Sequence, residues 1–332
     1  MDMRFGLLTS FTIALLLPIA ASAQALGGDS LSSLFTVSVT PQYPTPYSQA
    51  TLSFLSSSID LANATVSVVA GGKNVYRGAV QPVAITLGRA GSVTNVTATI
   101  SSGGATYEQT LKVRPQDVAL VAEPVSSVPP LYPGKASVPP GGGVRVVAVA
   151  NLRDAGGNIF TPSVLSYAWT VDGAQIANSS GIGKETILVA SPLQYRNRNV
   201  SVAVTNSDGS LVGGASLSLS AGIPFVRVYE SDPLLGIRYD HALFDTYVIE
   251  GAEATLYAAP FSFPTTSGAP LVQWFLNGAS AQTGNLLTLR PTGSGRGAAM
   301  LSLVASSGDA AKAITNLSLS FGASPSSNFF GL

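Results

Sequence analysis

Leu165-Ser166-Tyr167-Ala168-Trp169-Thr170-Val171-Asp172-Gly173 carries the most structural information in the chain. Large apolar residues alternate with small or polar ones as far as Val171, the period of two that marks a half-buried strand. Asp-Gly then supplies two positions that tolerate positive φ, as a type I′ hairpin turn requires. A tryptophan buries up to about 250 Å², so one in mid-strand can fill the space between two sheets. The arrangement returns in Val272-Gln273-Trp274-Phe275-Leu276-Asn277-Gly278, again Trp-x-x-[Asp/Asn]-Gly. A degenerate copy, Val66-Ser67-Val68-Val69-Ala70-Gly71-Gly72, has Val68 in place of the tryptophan. Val68 and Trp169 lie 101 residues apart, and Trp169 and Trp274 lie 105 apart. That period is too long for a solenoid and fits whole small domains.

The flanking segments repeat in step. Each copy opens with a strand ending in proline: Phe35 to Pro41, Val118 to Pro124, and Val226 to Pro233. An alternating strand follows (Ala50 to Phe54, Val144 to Val149, Ala254 to Ala258), and a short apolar one comes after the turn (Val83 to Leu87, Thr186 to Val189, Leu286 to Leu289). Each copy closes with a hairpin whose first arm is Val96 to Ile100, Val200 to Val204 or Met300 to Val304. No segment sustains a 3.6-residue period over three turns. Six or seven short strands per copy, with turn signals every 8–12 residues or so, are the signature of a sandwich. The expected fold class is therefore all-β, with three tandem immunoglobulin-like antiparallel β-sandwiches after an N-terminal signal peptide. The modules span 34–114 (diverged), 116–221 and 224–322, with a flexible tail at 323–332. Short proline-containing joints, Arg114-Pro115-Gln116 and Ala221-Gly222-Ile223-Pro224, favour a semi-rigid array.

Composition bounds the chemistry. Charged residues make up 10 % of the chain and the net charge is zero, so no bulk field draws it to nucleic acid or anionic lipid. There is no cysteine, which excludes disulfides, thiolate metal sites, cysteine nucleophiles and a lipoprotein attachment residue. Each module must then hold together by burial alone, which 46 % hydrophobic residues allow.

Residues 1–23 read as a secretory signal peptide. Arg4 precedes an apolar run from Gly6 to Ala20, Pro18 breaks it, and Ala21-Ser22-Ala23 offers small residues at a cleavage site before Gln24. The run falls short of the ~20 residues that span a bilayer. The expectation is export by the general secretory route to the cell envelope or beyond, with no membrane insertion after cleavage.

Tyr167 to Gly173, followed by Val200-Ser201-Val202-Ala203-Val204-Thr205-Asn206-Ser207-Asp208-Gly209, resembles the PKD-type and bacterial immunoglobulin-like domains of surface proteins. The resemblance is good over 116–221, fair over 224–322 and weak over 34–114. It implies an extracellular spacer or adhesive array whose partners are other envelope or appendage proteins. It carries over no catalytic residues. The alternative is a secreted ligand-binding module, for glycan or peptide, beside a surface enzyme, pilus or secretion system.

No catalytic, cofactor-binding or metal residue is assigned, and no cofactor is expected. His241 is the lone histidine, with Asp240 and Asp245 nearby. There is no Gly-x-Ser-x-Gly elbow to make it a base, so Glu230 to Glu253 reads as a polar surface connection. Calcium, which such arrays bind at joints, would draw on Glu230, Asp232, Asp240, Asp245 and Glu250, yet they lack Asp-x-Asp or EF-hand spacing. Solvated loop charge is the plainer reading. Asn-x-Ser/Thr sequons stand at Asn63, Asn95, Asn178, Asn199 and Asn316, at a frequency that chance explains in a chain so rich in Ser and Thr. For sugar stacking, both tryptophans are assigned to cores, which leaves Tyr132, Tyr195 and Tyr239 as isolated aromatics. The proline-rich run Pro124 to Pro133 suits an edge segment that blocks sheet pairing better than a polyproline recognition motif.

Overall fold

The computed structural model describes residues 34–292, 296–308 and 311–322. The segments expected to be a signal peptide (1–23) and a flexible tail (323–332) lie outside these residues. Strands and turns dominate, and among the described residues no helix is long and apolar enough to cross a membrane.

The chain divides into two compact units. Among the described residues the first takes in 34–42, Thr51–Ile85 and Thr94–Val113. Its strands are β1 (Thr36–Thr40), β2 (Gln49–Leu55), β3 (Thr65–Ala70), β4 (Lys73–Ala79), β5 (Val83–Thr86), β6 (Thr94–Ser102) and β7 (Ala105–Val113). They form two sheets, β1-β2-β5 and β4-β3-β6-β7.

The second unit holds two more sandwiches. One comprises β8 (Asp117–Val125), β9 (Gly143–Asn151), β10 (Ser166–Val171), β11 (Ala174–Gln175), β12 (Gly181–Ile182), β13 (Thr186–Ala190), β14 (Asn197–Thr205) and β15 (Val212–Ser220). Sheet β13-β9-β8 faces sheet β11-β10-β14-β15 across one core. The other comprises β16 (Phe225–Asp232), β17 (Gly236–Leu243), β18 (Thr246–Ile249), β19 (Ala254–Phe261), β20 (Leu271–Leu276), β21 (Ala279–Thr283), β22 (Leu286–Leu289), β23 (Gly297–Ser307) and β24 (Ala311–Phe321). Here β17-β16-β19-β22 faces β18-β24-β23-β20-β21.

The repeated sequence pattern becomes repeated geometry. Trp169 pairs with Val202 and Trp274 with Leu303, while Val68 occupies the same register opposite Ala98. Both indoles are fully buried. Each N–H donates to a carbonyl between the sheets, Trp169 to Lys184 and Trp274 to Gly284, both at 2.8 Å. In the first module both residues of this pair are small, and Phe35, Phe54 and Ile100 are among its buried side chains. The turns have the anticipated backbone, with φ of 49° and 84° at Asp172-Gly173 and 49° and 81° at Asn277-Gly278. Their first residue also has a job for its side chain. Asp172 Oδ1 accepts from the Asn199 N–H and Asn277 Oδ1 from the Met300 N–H, each at 2.8 Å, so the turn fastens onto the neighbouring strand.

One expectation needs correcting. Glu230 to Glu253 is not a surface loop: it contains β17 and β18. β17 extends the first sheet beyond β16, and β18 crosses to the other sheet and pairs parallel with β24. The register of β17 slips, so that Arg238 to His241 lie opposite Glu230 alone. That wide bulge scatters the alternation by which a strand is recognised.

Within the second unit the proline-rich run lies where its two modules meet. Pro124 is on edge strand β8, and beyond it Ser127 N–H donates to Phe263 O at 2.8 Å while Ser262 N–H returns a bond to Ser127 O at 3.0 Å. Gly222 N–H donates to Val138 O at 2.8 Å, which ties down the linker.

Truncating a buried tryptophan removes its contacts and leaves a cavity, at a typical cost of about 3–5 kcal/mol. Trp274→Ala is expected to lose that much in urea unfolding followed by Trp169 fluorescence. A change no larger than the about 0.5 kcal/mol of a surface substitution would deny the indole its central role.

Candidate functional site

Alternation gives every strand of the outer sheets a second face, turned away from its own core. Antiparallel register sets residues on that face directly opposite one another. In the first module the outward pairs of β1 and β2 include Ser38–Ser53 and Thr40–Thr51. In the second, β8 and β9 present Asp117–Asn151, Ala119–Val149, Val121–Val147 and Glu123–Arg145. In the third, β16 and β19 present Phe225–Phe261, Arg227–Ala259 and Tyr229–Tyr257. The same positions are hydroxylic, then mixed, then aromatic.

The aromatic pairs build a small apolar cluster outside the sandwich, centred on Tyr229, Ala259 and Phe261. Phe225 and Phe261 stack with ring centroids 4.7 Å apart and planes 9° from parallel. Two other segments close over them. Tyr132, from the proline-rich run, meets Phe261 edge-on at 5.4 Å. Tyr239, lifted by the β17 bulge, meets Tyr229 at 5.2 Å and Tyr257 at 6.2 Å, both edge-on. Arg227 lies between two rings, 5.5 Å from the centroid of Phe225 and 5.4 Å from that of Phe244. No carboxylate pairs with it among the described residues. Phe244 is 61 % exposed, and Leu234 at the hairpin tip is 93 % exposed.

The acidic candidates act as local braces. Asp232 Oδ1 accepts from the N–H groups of Leu235 and Leu234, which hold its carboxyl below the usual range and fix the hairpin tip. Asp240 takes a two-pronged contact from Arg238, 3.2 Å on each arm, which lowers its carboxyl too. Asp245 has a left-handed backbone between β17 and β18, and the negative charge of Glu230 lies near the Tyr247 hydroxyl and raises it further. Among the described residues, no three His, Asp or Glu side chains gather as a metal-ligand set. His241 is exposed on β17, and no serine hydroxyl hydrogen-bonds to it among the described residues.

Of the aromatics that looked isolated in sequence, Tyr132 and Tyr239 belong to this one face, and Tyr195 stands apart in the turn before β14. Sequence reasoning passed over Phe225, Arg227, Phe244 and Phe261. The available signal was the aromatic content of outward positions on the opening strands, visible once the three copies are aligned.

No protein-family model matches the chain, and no curated protein matches it in sequence. Solved structures similar to it include three N-terminal domains of the bacteriophage RB49 Highly Immunogenic Outer Capsid protein, at 13 % identity and TM-score 0.25 over 86 % of this chain and 98 % of that one. The central fibronectin-III array of RIM-binding protein aligns at 9 % identity and TM-score 0.28, over 87 % and 96 % of the two chains. A Bacteroides ovatus SGBP-B from a mixed-linkage glucan utilization locus, in complex with a heptasaccharide, aligns at 11 % and TM-score 0.22, over 86 % and 70 %.

Burial pushes the phenols of Tyr239, Tyr247 and Tyr167 up to about 12, helped by neighbouring Tyr257, Glu230 and Glu185 respectively. The folded chain therefore keeps these protons where an unfolded one, with phenols near ~10, gives them up. Their contribution to stability is intact below about pH 10 and is lost as pH rises toward about 12. A tyrosinate absorbance titration is expected to show a late-ionising class that merges with the rest in denaturant. Uniform ionisation of the native protein near ~10 would contradict the packing described.

Proposed function

We propose that this chain is a non-enzymatic, exported component of a cell envelope or its appendages, with PKD-like modules that act as spacer and contact surface. The carrying observation is the aromatic face of the third module. Partly exposed rings around an arginine without a carboxylate partner are the composition of binding hot spots. The fit is to a protein partner that brings apolar side chains and a carboxylate, as another envelope or appendage protein would. Arg227 would receive the carboxylate, while Phe244, Tyr239 and the Leu234-Leu235 tip supply apolar contact. The leader-like segment at 1–23 supports export, and Asp232 and Asp240, engaged as braces, lend no support to catalysis around His241.

The glycan reading uses the same rings as stacking platforms and separates by experiment. The tagged chain should co-fractionate with envelope from its own cells, and Arg227→Glu combined with Phe244→Ala should release it. Ser53→Arg, on the equivalent face of the first module, should stay bound. Equal retention of all three would sink the reading. Saturable binding to a neutral glycan, lost in Tyr239→Ala, would turn it toward sugar.

A further inference from the structure

We propose that the open end of the third module is a socket for the chain's own segment 323–332, which seats there through Phe329-Phe330-Gly331-Leu332. The inference rests on a difference between the second and third modules and does not use the aromatic face.

The two modules share one register, so their residues correspond position by position. Trp169 lies opposite Val202, and Trp274 opposite Leu303. Just past each tryptophan stands the turn residue, Asp172 or Asn277. On the neighbouring strand the corresponding positions are Arg198 and Ala299, which lie opposite Leu219 and Leu319 on the last strand of their modules. In the second module Arg198 plugs the gap between the sheets. Its Nε lies 3.1 Å from Asp172 Oδ2 on one sheet. Its Nη1 donates at 3.0 Å to Ala190 O, at the end of β13 on the other. Ala299 has no side chain beyond Cβ and makes neither bond.

With alanine at the plug position, the third module has a cavity of about 410 Å³, within the range of ligand pockets. Leu287 and Leu289 line it from one sheet, and Leu276, Ala299, Leu319 and Phe321 from the other. Leu287, Leu289 and Leu319 belong to the module's buried core, so an occupant extends that core outward. Arg290 is the one charged residue of the lining, and its Nε lies 2.6 Å from Glu253 Oε2. An uncharged, apolar occupant fits these walls, because a charge placed among them loses its hydration without gaining a partner.

The chain carries such a group next to the socket. Phe321 lines the cavity and ends β24, so the residues that follow begin at the socket itself. Gly322 has φ of 69°, a left-handed angle that turns the backbone out of the strand's line. Residues 323–332 contain no Asp, Glu, Lys or Arg, and their large apolar side chains are gathered at Phe329, Phe330 and Leu332. The stretch from Gly322 to Phe329 reaches at most about 25 Å, enough to double back, and Pro325, Ser326, Ser327 and Asn328 are of the types that turns use. The tether gives the phenylalanines an effective concentration on the order of millimolar at the socket, ahead of apolar groups arriving from solution.

The chain has no cysteine, so Asn328→Cys gives the full chain a single attachment point for a nitroxide beside Phe329. Electron paramagnetic resonance is expected to show the immobilised form of the label exceeding the mobile one by about tenfold or more, the scale of burying one phenylalanine side chain. Phe329→Ser with Phe330→Ser should mobilise the label. Ala299→Arg with Asn277→Asp, which gives the third module the second module's plug, should mobilise it too. Arg198→Ala, in the second module, should leave it immobilised, and so should dilution. Urea unfolding followed by tryptophan fluorescence checks that each variant folds. If the plug variant does not, dipolar broadening between nitroxides at Asn328→Cys and at Gln282→Cys, an exposed residue of the lining, decides the matter: broadening is expected. The proposal falls if the label is mobile in the parent chain, if either the serine variant or a folded plug variant keeps it immobilised, or if Arg198→Ala frees it. It falls equally if the two nitroxides show no broadening, or if dilution frees the label, the mark of a segment supplied by a second copy.

Discussion

A tryptophan can fill the gap between two sheets only if its indole N–H finds an acceptor there. In this chain that acceptor is a backbone carbonyl, of Lys184 in one module and Gly284 in the next. The bond makes the indole fully burialable in a chain that has no cysteine to staple its sheets. It also fixes where the segment after the hairpin turn must pass, since its carbonyl has to lie at the edge of the ring, in line with the indole N–H. The Asx turn is part of the same device. Asp172 and Asn277 hold the strand that carries the tryptophan against its neighbour, at a position where glycine alone would give the backbone angle without the extra bond.

The first module shows the device dispensed with. Val68 and Ala98 stand opposite each other, Gly71-Gly72 makes the turn, and the buried aromatic side chains are Phe35 and Phe54. Its strand order nevertheless parallels that of the second module. Pairing of alternating strands therefore sets the topology, and the tryptophan determines how the centre is filled.

The succession of most strands along the chain, the turn type and both core tryptophans were legible because period-two alternation and Asx-Gly dipeptides act over a few residues. β17 was not, because its bulge places Arg238, Tyr239, Asp240 and His241 opposite one residue and destroys the alternation. Charge density made the segment read as solvated loop, whereas Arg238 and Asp240 neutralise each other along an edge strand, a common protection against edge-to-edge pairing. The candidate face was hidden for a different reason. Its members come from β16, β17, β19 and the proline-rich run, and nothing local in sequence says that Tyr132 meets Phe261.

The parallel pairing of β18 with β24 has a mechanical consequence. Four successive residue pairs, from Thr246–Ser318 to Ile249–Phe321, join a segment near the start of the third module to its last strand. Tension entering from the start of the module and leaving at its end pulls the two strands lengthwise in opposite directions. Their hydrogen bonds then resist together, in shear, instead of opening one after another like a zip. An element that reads as an interruption of the repeat is thus placed to set how much load the third module bears before its core is exposed.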